Sequence, residues 1–130
     1  MLWKLLRYYR QICIWLRIRH HREHTAFRLP GGMTAEQFYR ALIPLGYQSI
    51  TFPYCHVYPG QIFSCRRLVG PKQYHLRVWS DGHYTGHHEW NFEFALSQHF
   101  IGDDVNDLVG CPREHDRIEK ALCDTLKQTE

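Results

Sequence analysis

The apolar residues of the first segment, residues 1–24, recur three or four positions apart, which is the spacing of one helix face. They are Leu2, Leu5, Leu6, Tyr9, Ile12, Cys13 and Leu16. Lysine and arginine stand between them, so the pattern predicts a basic amphipathic helix. This helix can pack on the rest of the chain, on a partner protein or on a membrane surface, and the sequence leaves all three open.

A second helix is predicted directly after the Pro-Gly-Gly break at residues 30–32. Thr34 and Gln37 have the spacing of a capping box, in which each side chain bonds the backbone N–H of the other residue. Pro44 suits a tightened last turn, and Gly46 suits a helix end. We therefore expect a short helix that ends just before Gly46.

Between residues 47 and 90 the helical spacing gives way to β-branched and aromatic residues that are interrupted by turn dipeptides. The dipeptides are Pro59-Gly60, Gly70-Pro71 and Asp81-Gly82. This texture predicts an antiparallel meander of four strands, at about residues 47–58, 61–69, 73–80 and 83–91.

Helical spacing returns after residue 92, and Pro112 is placed to open a last helix. The predicted fold is thus α+β: a four-stranded antiparallel meander packed on one face by helices, with an N-terminal basic amphipathic helix and C-terminal helices. At 130 residues the chain has the size of a single domain, 1–130, in which residues 34–130 supply the second helix, the meander and the C-terminal helices.

The five cysteines are an odd number without any C-x-x-C pair, and no pattern of a cleavable signal peptide precedes them. A disulfide framework is therefore not expected, and a reducing, cytoplasmic compartment fits the sequence best.

The net charge of +3 is unevenly distributed along the chain. Residues 1–32 hold seven Lys/Arg against one Glu, whereas residues 103–130 hold eight Asp/Glu against four Lys/Arg. Residues 37–80 contain no acidic residue, so the meander should present a positive surface. Such a surface favours RNA, nucleotides and other polyanions.

The last predicted hairpin concentrates the candidate chemistry. Residues 80–82, Ser-Asp-Gly, suit a three-residue loop with its glycine in the left-handed region, which pairs Trp79 with His83 and His75 with His87. One face is then mainly apolar, with Tyr74, Leu76, Val78, Tyr84 and Trp90. The other face carries His75, Arg77, Trp79, His83, Thr85, His87 and Glu89.

This second face suits acid–base chemistry on a phosphodiester. His75, His87 and Glu89 can supply the base and the acid, because imidazole exchanges protons near neutral pH. Arg77 can clamp the phosphate and stabilise the charge of the transition state. Further phosphate contacts are predicted for Arg66, Arg67 and Lys72, base stacking for Trp79, and accessory roles for His83 and Thr85.

The leading hypothesis is a metal-independent phosphodiesterase or nuclease that cleaves RNA or a cyclic oligonucleotide and needs no cofactor. A small chain can enclose such a ligand by forming a homodimer across this face. The alternative is a non-catalytic nucleotide-binding, nucleic-acid-binding or protein-interaction module, such as a regulator or inhibitor, that uses the basic N-terminal helix and the positive sheet.

Two further interpretations stay open at this point. The same face can simply be a wet sheet surface of cross-strand charge pairs. It can also hold zinc through His75, His87, Glu89 and a water, although the charge of Arg77 opposes a cation. The H-x-x-E-H pattern of residues 20–24 lies in a short basic segment, which does not suit a zinc protease.

Overall fold

The structure is a computed structural model, and it describes residues 26–49, 60–90 and 107–128 together with positions 4, 5, 8, 9, 12 and 16. Most of the helix predicted for residues 1–24 lies outside the described residues. So do residues 50–58 of the first predicted strand and residues 93–106 of the helical segment predicted after residue 92.

Residues 26–49, 60–90 and 107–128 form one antiparallel sheet beside two α-helices. Its strands are β1 (Phe27–Arg28), β2 (Gln48–Ser49), β3 (Gln61–Val69), β4 (Lys72–Trp79) and β5 (His83–Trp90). Their order across the sheet is β1-β5-β4-β3-β2. The predicted meander of the last three strands is confirmed, and so is the α+β class.

The predicted number of four strands is wrong, because the described residues contain five. The strand that was missed, β1, has only two residues, too few for any alternation of polar and apolar positions to be visible. Tertiary contacts hold it in place instead: Phe27 pairs with Tyr84, and the Leu29 N–H donates to the Gly82 carbonyl over 2.8 Å.

The first described helix, α1 (Ala35–Leu42), begins as its sequence predicts. The Gln37 N–H donates to Thr34 Oγ1 over 3.1 Å, and the Thr34 N–H donates to Gln37 Oε1 over 2.9 Å. A 3₁₀ turn that contains Pro44 continues the helix, and the chain then leaves through Gly46 with a left-handed φ of 100°. The capping box and the glycine end are therefore both confirmed.

The core lies between the sheet and the helices. Tyr84, in the middle of this layer, is fully buried and packs against Phe38 at 5.2 Å and Phe27 at 5.4 Å between ring centroids. The second helix, α2 (Pro112–Gln128), adds Ile118 and Leu122, both fully buried. Burial of each such side chain contributes about 1.5–3 kcal/mol, so this layer is the main source of stability. In the described part of the chain, no helix has both the length and the apolar character needed to cross a membrane.

Glu114 on α2 ties the helix to the sheet through a buried charge cluster. Arg67 donates to it from Nε and Nη2 over 3.1 and 2.5 Å, and the Tyr47 hydroxyl donates over 2.9 Å. Arg117 adds a bond of 3.1 Å. Burial by itself would raise the pKa of Glu114, but the bonds from Arg67 and Tyr47 and the charges of Arg67 and Arg117 hold that pKa below its ordinary value.

We expect Glu114→Gln to lower the free energy of unfolding by about 3 kcal/mol, because it leaves the Arg67 charge without its buried partner. The stabilisation by ionised Glu114 is fully present above the pKa that Glu114 has in the unfolded chain. It is lost as the pH falls through the lower pKa that Glu114 has in the folded chain. Urea unfolding at neutral pH measures the loss. Glu36→Gln is the control, because the side chains of Glu36 and its partner Arg40 are both exposed. Loss of this exposed ion pair should cost less than about 1 kcal/mol. Equal losses in the two variants would contradict this account.

Gly86 on β5 lets the 3₁₀ turn Asp107–Gly110 approach the sheet. A Cβ at this position would lie 2.7 Å from Leu76 Cδ2 and 3.2 Å from Leu108 Cδ2, and both leucines are fully buried. Even one methyl group would therefore displace the packed layer.

Gly86→Ala should destabilise the fold by about 1–3 kcal/mol through this overpacking. Gly110→Ala is the matched control, because nothing lies within 4 Å of its added Cβ. Denaturant midpoints of the two variants provide the test. A midpoint for Gly86→Ala equal to that of the native chain would show that the turn does not pack as described.

Candidate functional site

The hairpin of β4 and β5 has the register that its three-residue loop predicts. Gly82 adopts a left-handed backbone with φ of 86°, and its N–H donates to the Trp79 carbonyl over 3.1 Å. This loop places His75 directly opposite His87. His75, Arg77, His87 and Glu89 therefore lie on one face of the sheet.

We call this surface the polar face. It consists of alternate side chains of the three long strands, Ser64, Arg66, Gln73, His75, Arg77, Trp79, Thr85, His87 and Glu89. The face is much less open than a solvated strand surface, since His75, Arg77 and His87 keep only 7%, 4% and 3% of their surface exposed. Buried polar groups of this kind need partners inside the protein.

Arg77 and His87 are partners of one another. Arg77 Nη1 lies 2.6 Å from His87 Nε2. A guanidinium can only donate, so His87 Nε2 must accept, and its ring is neutral with the proton on Nδ1. In this arrangement His87 orients the arginine and cannot itself act as an acid through Nε2.

His75 is linked to a chain of polar side chains that crosses all three long strands. Its Nδ1 lies 3.4 Å from Glu89 Oε1, which also accepts from Gln73 Nε2 over 3.1 Å. Gln73 Oε1 in turn accepts from Arg66 Nη1 over 3.3 Å. Glu89 thus favours the His75 tautomer that carries its proton on Nδ1.

The other ring nitrogen of His75 is one of four buried side-chain atoms without a hydrogen-bond partner in the described part of the chain. His75 Nε2 is buried and has no hydrogen-bond partner among the residues that the structure describes. Burial, followed by the charge of Arg77, lowers the pKa of His75 to about 4, against the opposing effect of Glu89. His75 is therefore neutral at pH 7. A neutral imidazole is the form of histidine that can accept a proton.

Trp79, predicted to stack on a base, and Thr85, predicted to have an accessory role, are hydrogen-bonded to each other. Trp79 Nε1 donates to Thr85 Oγ1 over 3.0 Å, and the indole keeps only 3% of its surface exposed. This burial leaves no open ring surface for the base stacking predicted for Trp79. His83 lies at the loop end of the face, with Nδ1 3.2 Å from Asp81 Oδ1.

Two of the predicted phosphate-binding residues lie away from the polar face. Arg67 is on the opposite, core-facing side of β3, where it pairs with Glu114. Lys72 stands at the far end of β4, with Nζ 5.3 Å from the centre of the Trp90 ring. Arg66 does lie on the polar face, so the structure divides the predicted basic cluster between two sides of the sheet.

Gln73 is the residue of the site that sequence reasoning missed. It is buried and connects Arg66 to Glu89, which it faces directly across the strands. The signal was present, because Gln73 is two positions before His75 and therefore shares its face.

The zinc alternative finds no support in the described geometry. In residues 26–49, 60–90 and 107–128, no three His, Cys, Asp or Glu side chains are arranged to hold a metal ion. Cys65 points into the core, and burial raises the pKa of its thiol, which disfavours the reactive thiolate.

A separate cleft of about 450 Å³ lies between α1 and α2, on the helical side of the sheet. Its basic lining residues are Arg40, Arg117 and Lys120. Arg40 already pairs with Glu36, and Arg117 pairs with Glu114. Because two of these three cations already have carboxylate partners, the cleft is a weaker candidate site than the polar face.

Comparisons of the chain with known protein families, with curated proteins and with solved structures find no match. The chemistry of the polar face must therefore be argued from its own residues.

Burial of a neutral His75 makes stability depend on pH. The unfolded chain takes up a proton near the ordinary histidine pKa of 6.5, whereas folded His75 takes it up only near pH 4. The free energy of unfolding should therefore fall as pH is lowered from 6.5 towards 4.

Urea unfolding across this pH range measures the effect, and His75→Gln should flatten the profile relative to the native chain. His88→Gln, on the opposite side of β5, serves as the control and should keep the native slope. A native slope in the His75 variant would mean that this imidazole is not held in its neutral form.

Proposed function

We propose that the polar face is the site of a metal-independent phosphodiesterase that cleaves RNA or a cyclic oligonucleotide, with His75 as the general base. The observation that carries the proposal is the buried electron pair of His75 Nε2, whose ring is oriented through Nδ1 by Glu89. An imidazole whose Nδ1 is held by a carboxylate and whose Nε2 is unprotonated can abstract a proton through Nε2.

In the proposed reaction, His75 Nε2 takes the proton of a ribose 2′-hydroxyl. The 2′-oxygen attacks the adjacent phosphorus, the bond to the 5′-oxygen breaks, and a 2′,3′-cyclic phosphate remains. Glu89 stabilises the imidazolium that forms on His75, and Arg77 neutralises the charge that builds up on the phosphate oxygens.

The leaving 5′-oxygen needs a proton, and His87 can supply it only after a rearrangement. When Arg77 turns its guanidinium to the phosphate, the bond between Arg77 and His87 breaks and His87 Nε2 becomes available to take up and deliver a proton. The phosphate charge also offsets that of Arg77, so one of the two main causes that lower the pKa of His75 is weakened in the complex, while the effect of burial remains.

The second candidate function is binding of the same phosphodiester without cleavage. The bond of 2.6 Å between Arg77 and His87 favours this alternative, because a His87 that stays bound to Arg77 leaves the reaction without an acid. The two candidates share their ligand class and differ only in turnover.

The test is incubation of the chain with labelled RNA and with cyclic oligoadenylates in the presence of EDTA. We expect products that end in a 2′,3′-cyclic phosphate. His75→Gln should lower the rate by about 10²–10⁴-fold, which is the usual contribution of a general base. His88→Gln is the matched control, because it changes the same residue type on the other side of the hairpin.

Each other outcome has a definite meaning. Binding without cleavage, with affinity lost on Arg77→Gln, would replace the enzyme by the non-catalytic binder. A cleavage rate unaffected by His75→Gln would remove His75 as the base. If the chain neither binds nor cleaves either substrate, both candidate functions are ruled out.

A further inference from the structure

Five apolar or aromatic side chains near the start of the chain are exposed. Positions 4, 5, 8, 9 and 12 have helical backbone, and the Leu16 N–H donates to the Ile12 carbonyl over 2.9 Å. We call the exposed set the N-terminal stripe. Its members and their exposed fractions are Leu5 (59%), Tyr8 (65%), Tyr9 (37%), Ile12 (55%) and Leu16 (52%).

The spacing of the N-terminal stripe makes it one continuous surface. Relative to Leu5, its other aliphatic members Ile12 and Leu16 stand seven and eleven positions later, which are whole numbers of helical turns to within a fraction of a residue. Contiguous exposed apolar surface of this kind marks a site of interaction.

Charge decides which partner suits the N-terminal stripe. Residues 1–22 contain six Lys/Arg and no acidic residue. Each basic side chain near an anionic lipid surface contributes about 1 kcal/mol of attraction. Tyrosine rings such as those of Tyr8 and Tyr9 are also favoured at the boundary between lipid headgroups and acyl chains.

The acidic C-terminal segment of the chain is the competing partner inside the molecule. Two carboxylates of α2 are already engaged there, since Glu114 binds Arg67 and the Tyr84 hydroxyl donates to Glu119. The apolar side chains of the stripe are exposed in the structure, and carboxylates offer them no apolar surface to pack against.

We propose that the N-terminal stripe binds the surface of an anionic lipid bilayer, with its apolar side chains inserted at the headgroup boundary and the surrounding cations facing the lipid phosphates. This binding is independent of the chemistry of the polar face. It would hold the sheet and its site near the membrane surface.

Co-sedimentation of the full chain with lipid vesicles tests the proposal. We expect binding to vesicles of phosphatidylcholine and phosphatidylglycerol, weaker binding at high salt, and little binding to phosphatidylcholine alone. The double variant Ile12→Ser with Leu16→Ser should weaken binding by about tenfold or more, because both inserted side chains are lost.

The matched control is Ile43→Ser with Val109→Ser, which removes two equally exposed aliphatic side chains (50% and 56%) from elsewhere on the surface. The control should bind vesicles like the native chain. The proposal is overturned if the native chain does not sediment with anionic vesicles, or if both double variants lose binding equally. Analytical ultracentrifugation covers the remaining alternative. If the native chain self-associates but does not bind vesicles, and the stripe variant no longer self-associates, the stripe is a protein contact and the proposal is overturned.

Discussion

The pairing of β4 with β5 at a single register is the constraint on which both the core and the polar face depend. Gly82 sets this register by taking a left-handed backbone that other residues adopt only with strain, and its carbonyl also holds β1 through Leu29. Because side chains alternate along a strand, a slip by one residue would turn Tyr84 out of the core and His75 into it. One turn thus determines where the hydrophobic layer lies and which ionisable groups meet.

The two sides of the sheet differ in what they bury: one side buries mainly apolar side chains, and the other buries ionisable ones. The core side buries Tyr84 and its neighbours, and its carboxylates are hydrogen-bonded: Glu114 accepts from Arg67 and Tyr47, and Glu119 accepts from the Tyr84 hydroxyl. The polar face buries imidazoles and a guanidinium at a cost in desolvation, and it recovers that cost only in part, since His75 Nε2 stays without a described partner. The lowered pKa of His75, caused by burial and by the charge of Arg77, makes the polar face a candidate site.

Local patterns predicted much of this arrangement, and its limits have physical reasons. Thr34 and Gln37 encode their helix start within four residues, and Gly82 with its neighbours encodes the hairpin, so both were visible in the sequence. Alternation along β3 would also have separated Arg66 from Arg67. By contrast, burial of the polar face depends on tertiary packing, and the pairing of Arg67 with Glu114 joins residues that are 47 positions apart. Such long-range contacts leave no local sequence pattern, and β1 is too short to show the alternation that predicts a strand.

The proposed reaction depends on a neutral His75 that carries its proton on Nδ1 and an electron pair on Nε2. The ¹⁵N chemical shifts of the two ring nitrogens, recorded at neutral pH on the native chain with labelled histidine and assigned with His75→Gln, measure this directly. The account predicts a protonated Nδ1 and an unprotonated Nε2 on a neutral ring. A proton on Nε2, or a doubly protonated ring, would contradict it.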